Sequence, residues 1–143
     1  MTLAPARWLI DACLPCESYS EIDAAHANDF LSDLELPGLI QAWKLNRTLV
    51  TCGREFRGLF PLDLYHPGLV IFEEIPISAA EVERNLKHFE FRIGQYEGKL
   101  ELTGNRFVIR ADKEILMIEP AGHEVSLEPW KEIHVIKAHA HAV

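Results

Sequence analysis

A carboxylate and two thiols capable of reaction stand close together near the start of the chain. Asp11 closes the short apolar run Arg7-Trp-Leu-Ile-Asp11, ahead of the breaker Pro15, which places its carboxylate at the carboxyl end of a β-strand. Two residues on comes Cys13-Leu-Pro-Cys16. A C-x-x-C that follows a strand and opens a helix makes a nucleophilic thiol for disulfide exchange; the commoner role of such cysteines is as small apolar side chains packed under a core. With Cys52 the chain has 3 cysteines, an odd and small number that argues against a secreted disulfide framework and for reduced thiols. The histidines are scattered. His26, His66 and His88 lack the spacing of a ligand set, and His134, His139 and His141 lie in an alternating tail read as a mobile end.

Several elements must position these groups. Thr48-Leu-Val-Thr51 and Leu69-Val-Ile-Phe72 are short and almost wholly apolar, the pattern of strands covered on both faces in a parallel sheet. Residues 17–33 are ambiguous between a strand over 22–27 and a helix over 24–31. Pro37 suits a first helical position, and the apolar spacing that follows predicts a helix over 37–45. Ser78-Ala-Ala-Glu81 has the form of a capping box, and Val82, Leu86, Phe89 and Ile93 then recur at helical spacing. After Gly98 the period shortens: 99–102, 106–110, 114–118 and 133–136 read as strands joined by turns. The expected class is therefore α/β over residues 1–98, with a β-rich C-terminal extension of the same domain over 99–143.

Composition narrows the function. A chain of 143 residues has room for one ordinary core, and 48% hydrophobic with 25% charged residues is a globular balance. The 22 acidic residues outnumber 14 basic ones, a net charge of −8, which excludes coating nucleic acid by bulk charge. No apolar run approaches the roughly 18 to 20 residues of a bilayer span, and the first residues lack the regions of a signal peptide. No membrane role and a cytoplasmic location are expected.

Three motifs in order, Leu9-Ile-Asp-Ala-Cys-Leu-Pro15, Thr48-Leu-Val-Thr-Cys-Gly-Arg-Glu-Phe56 and His66-Pro-Gly-Leu-Val-Ile-Phe72, resemble the PIN-like family of small prokaryotic proteins. Those proteins carry a D-x-N-L-P start, a V-T-x-D-x-D-F segment and an H-P-G strand. The resemblance covers about residues 7 to 95. It implies a three-layer sandwich with a mainly parallel central sheet, and acidic residues that hold Mg²⁺ or Mn²⁺ for RNA hydrolysis, often as the toxin of a toxin–antitoxin pair. Hard divalent cations take oxygen ligands, which gives that chemistry its physical basis. Carried over, Asp11 matches the first acid, Glu35 falls near the acid at a helix start, and Glu55 replaces the second acid of D-x-D-F, with Asp29 a further candidate. Gly53 stands where the family has an acid and cannot ligate a metal.

On the same reading, Arg47, Arg54 and Arg57 flank the site and could hold RNA phosphates or pair with nearby acids. Cys13, Cys16 and Cys52 could approach one another and, with His26, bind Zn²⁺. A small antitoxin protein and a homodimer through an exposed sheet edge are the protein partners implied. The readings that compete with a ribonuclease are a PIN-like protein that binds a partner protein or RNA without catalysis, and a thiol redox protein using Cys13 and Cys16.

Overall fold

The protein is described by a computed structural model over residues 6–29, 38–52, 67–94, 102, 104–118 and 123–127. Its strands are β1 (Arg7–Ile10), β2 (Asp23–His26), β3 (Thr48–Thr51), β4 (Leu69–Phe72), β5 (Arg106–Ile109), β6 (Ile115–Ile118) and β7 (Glu124–Ser126). They form one seven-stranded sheet in the order β2-β1-β3-β4-β5-β6-β7. The first five strands run parallel, and β6 and β7 are antiparallel additions. The fold is thus α/β with a mixed, mainly parallel sheet.

The apolar strands alternate across the sheet, as the two-residue period requires. Trp8, Ile10, Val50, Val70, Phe72, Phe107 and Ile109 share one face; Leu9, Leu49, Leu69, Ile71 and Val108 share the other. Two helices, α1 (Gly38–Leu45) and α2 (Ala79–Gly94), cover these faces. Val82, Leu86, Phe89 and Ile93 of α2 pack on the first, and Ala42 of α1 packs on the second. Phe89 sits edge-on between Trp8 and Phe107, with ring centroids 6.1 and 4.9 Å away.

The helix ends follow from side-chain chemistry. Ser78 Oγ accepts the Glu81 N–H at 3.2 Å, while the Glu81 carboxylate accepts the Ile77 N–H at 3.3 Å. The capping box thus closes one residue earlier than its usual form. At the end of α1, Asn46 adopts φ 52° and the Arg47 N–H reaches Ala42 O at 2.9 Å, a Schellman turn.

The expected strands at 48–51 and 69–72 are present with those bounds, and α2 buries all four of its predicted apolar residues. The ambiguity over 17–33 resolves for a strand: Asp23–His26 pairs with β1 in parallel. The strand β7 had no apolar signature, because Glu-Val-Ser exposes or half-exposes every residue. The strand expected over 133–136 lies outside the described residues, as does that over 99–102 apart from Leu102. Among the described residues, no helix is long and apolar enough to cross a membrane.

Candidate functional site

The connection from β1 leads to β2 on one side of it, while β3 lies on its other side and is followed by β4. The strand order therefore reverses at the β1/β3 pair. In open parallel sheets the crevice beyond the carboxyl ends at such a point is where ligands bind. The register Ile10↔Val50 sets the next residues, Asp11 and Thr51, side by side at that position.

Asp11 continues the ladder through its N–H to Val50 O at 2.9 Å. Its Oδ1 accepts the Ala12 N–H at 2.7 Å and its Oδ2 accepts the hydroxyl of the buried Thr51 at 2.6 Å. Each oxygen of a carboxylate has two lone pairs, so this anchoring fixes the group and leaves acceptor capacity on both oxygens. The Leu14 N–H bonds Asp11 O at 3.0 Å, and Leu14 is buried in the core, so the turn after β1 is pinned at both ends.

Cys13 is exposed and Cys52 half-buried. Their sulfurs are in contact, with Cα atoms 6.5 Å apart, inside the span a disulfide bridges. The Cys52 N–H points at Cys13 Sγ at 3.3 Å, and Thr51 Oγ1 lies 3.7 Å from the same sulfur. Cys16 is a free, exposed thiol that receives Asn28 Nδ2 at 3.6 Å. The C-x-x-C is therefore not the pair that forms. Residues 12–22 make only turns and bends, so no helix start faces Cys13, whereas the parallel register brings the ends of β1 and β3 together. The signal available in the sequence was that Cys13 and Cys52 both follow strands within three residues.

Glu35, Glu55, Arg54, Arg57 and His66 lie outside the described residues. His26 is 4% exposed; its Nδ1 accepts the Asn28 N–H, and its Nε2 bonds Leu14 O, both at 3.1 Å. That pattern engages both ring nitrogens, Nδ1 as an acceptor and Nε2 toward a carbonyl. The Asp29 carboxylate accepts the His26 N–H at 3.4 Å. Among the described residues no three His, Cys, Asp or Glu side chains gather to hold a metal ion, so the zinc set of Cys13, Cys16, Cys52 and His26 does not assemble.

Arg47 is at the opposite edge. It precedes β3, and its guanidinium donates to Trp8 O at 3.2 Å, Asp23 O at 3.3 Å and Asp23 Oδ1 at 2.8 Å. This hydrogen bond, more than the charge itself, holds the Asp23 carboxyl below its ordinary pKa, with Arg7 adding to the effect. Arg47 thus ties the amino ends of β1 and β2 to β3 and is not beside Asp11.

Two further features were not anticipated. Glu73, directly after β4, pairs with Arg110, directly after β5, at 3.6 Å. It has the same signature as Asp11, an acid closing an apolar strand. A cleft of about 400 Å³ also opens between the β1–β2 loop and α2, lined by Ser20, Glu21, Ala80, Glu83, Arg84 and Lys87. Across it the buried Glu83 accepts the Glu21 N–H at 3.2 Å, and Lys87 pairs with the Glu21 carboxylate at 3.0 Å.

For a hard divalent cation, Asp11 and the neighbouring hydroxyl supply oxygen, and the two sulfurs beside them are unsuited. Asp11 fits as one ligand. Comparisons with protein-family models, with curated proteins and with solved structures find no match to this chain. Any functional reading therefore rests on the site itself.

Proposed function

We propose that the chain is a degenerate PIN-like domain of three layers, acting as a Mg²⁺- or Mn²⁺-dependent endoribonuclease of toxin–antitoxin type. The observation that supports this is the place of Asp11: a carboxylate at the β1/β3 reversal, fixed by a backbone N–H and the Thr51 hydroxyl with lone pairs left on both oxygens. Helices on opposite faces of the sheet agree with the layering. Asp11, Glu35 and Glu55 would hold the cation, which when bound supplies charge neutralisation at the phosphate and a more acidic water. Asp11 keeps its orientation through Thr51, and Arg54 and Arg57 would bind the RNA backbone, a contact that positions the chain without reading sequence.

The test is cleavage of structured RNA with Mg²⁺ or Mn²⁺ by the full chain and by Asp11→Asn. The reading expects cleavage that the substitution removes while the fold persists. Cleavage that Asp11→Asn leaves unchanged, or none at all, rejects it.

One observation favours a second reading, binding of a partner protein or RNA without catalysis. Gly53 stands where an acid is needed, and both Asp11 oxygens already accept hydrogen bonds within the chain. That reading expects no change in melting temperature with Mg²⁺. A cation that binds the folded state raises it.

A further inference from the structure

We propose that Cys13 and Cys52 form a peroxide-oxidisable dithiol at the mouth of the β1/β3 crevice, with Cys13 the attacking sulfur and Cys52 the resolving one. The parallel register fixes the two strand ends as neighbours, so the sulfurs meet in the folded chain although 39 residues separate them. Their Cα separation of 6.5 Å lets the bond close without moving the backbone.

The two thiols differ in ways that assign their roles. Cys13 is exposed, so a small oxidant reaches it. Its sulfur accepts the Cys52 N–H at 3.3 Å, and a backbone donor aimed at sulfur favours the thiolate, which is the reacting form. Cys52 is half-buried and already touches Cys13. Cys16 is exposed and bonded to neither, its sulfur accepting the Asn28 amide.

The chemistry balances with a hydroperoxide as the oxidant. The Cys13 thiolate attacks the terminal oxygen; a sulfur–oxygen bond forms, the peroxide bond breaks, and the alkoxide or hydroxide leaves and takes a proton from water. Cys13 is then a sulfenic acid. The Cys52 thiolate attacks that sulfur, forming the disulfide and expelling hydroxide, which is protonated to water. Both cysteines together lose two electrons and the peroxide gains them. A thiol reductant reverses the bond by exchange. The oxidised form ties together the strand ends that carry Asp11 and Thr51.

The experiment uses the reduced full chain, stoichiometric hydrogen peroxide, alkylation of residual thiols and non-reducing peptide mass spectrometry. A Cys13–Cys52 linkage is expected, formed equally in Cys16→Ser, with a raised melting temperature that falls back on reduction. In Cys52→Ser, a Cys13 sulfenic acid should be trapped by a dione reagent. A Cys13–Cys16 linkage, a sulfenic acid confined to Cys16, or no oxidation of Cys13 overturns the proposal. RNA cleavage is not a readout, so the outcome is independent of the nuclease reading.

Discussion

The two edges of the parallel sheet use similar residues for opposite ends. At the amino edge, Arg47 is engaged by two carbonyls and a carboxylate, Thr48 Oγ1 donates to Pro67 O at 3.0 Å, and Gly68 adopts φ 118° under the Leu102 carbonyl. Polar atoms there close on one another. At the carboxyl edge, Asp11 retains lone pairs, Cys13 and Cys16 are exposed, and Glu73 and Arg110 meet at the surface. The amino edge thus joins the strands, while the carboxyl edge keeps its chemistry available.

The sharpest way to break that contrast is at Gly68. A Cβ there would lie 2.6 Å from Leu102 O, on backbone with a φ that side chains rarely adopt. Gly68→Ala should cost about 3 kcal/mol in urea unfolding, since neither strain nor overlap can relax without moving backbone. A loss under about 1 kcal/mol would show that this edge yields.

Next in size is a matched pair. Arg47→Ala removes the donor to the part-buried Trp8 carbonyl and the bonds to the more exposed Asp23 carbonyl and carboxylate, the carboxylate keeping Arg7, and should cost about 2 kcal/mol. Asp11→Ala loses the exposed bond from the Ala12 N–H and the bond from the buried Thr51 hydroxyl, which still has the Cys13 sulfur 3.7 Å away, and should cost about 1 kcal/mol. Equal costs by chemical denaturation would erase the distinction between the edges.

The edges should also fail at opposite ends of the pH scale. Asp23 has its carboxyl held low by the Arg47 hydrogen bond, so its contribution is present above the unfolded value near 4 and is lost as pH falls through the lower folded value. Tyr19, in the loop leaving the carboxyl edge, donates to Pro15 O at 2.6 Å, and burial chiefly pushes its phenol up to about 12. A raised value means stability complete below about pH 10 and lost as pH climbs toward 12. Asp23→Asn should flatten the acid side of the melting-temperature profile and Tyr19→Phe the alkaline side; a substitution that alters the other side would contradict the assignment.

The parts of the fold legible in the sequence were those whose local pattern and tertiary burial agree. Thr48–Thr51 and Leu69–Phe72 are apolar on both faces because helices cover both, and Ser78 with Glu81 announces α2. β2 was half-legible, since Asp-Ala-Ala-His has no strand signature and is held by pairing with β1. At the site, Asp11 was visible as an acid ending a strand. The approach of Cys52 to Cys13 was visible as two neighbouring strand ends, but which two of the three cysteines meet was not, because only the β1/β3 register pairs Cys13 with Cys52 and leaves Cys16 free. For Arg47 the sequence left a phosphate contact and an acid partner both open; it pairs with Asp23 at the amino ends of the strands, an end that sequence order alone does not distinguish from the other.

The smallest effect concerns how backbone strain is distributed. Left-handed conformations near the amino ends of the strands fall on residues that tolerate them: Asn46 at φ 52°, Gly68 at 118° and Gly104 at 79°. Beyond the carboxyl end of β5 the hairpin to β6 instead places Lys113 at φ 72°, closed by the Lys113 N–H to Arg110 O at 2.8 Å and the Arg110 N–H to Glu114 O at 2.9 Å. A non-glycine residue there costs about 1–2 kcal/mol, and glycine gives back about 0.5–1 kcal/mol in chain entropy. The exposed Lys113–Glu81 pair at 3.2 Å adds little. Lys113→Gly should therefore raise stability by about 0.5 kcal/mol, whereas the reverse change at the amino edge, Gly104→Lys, should lower it although no atom lies within 4 Å of the added Cβ. If both substitutions shift the unfolding midpoint in the same direction, the unequal placing of strain between the edges is not what sets their stability.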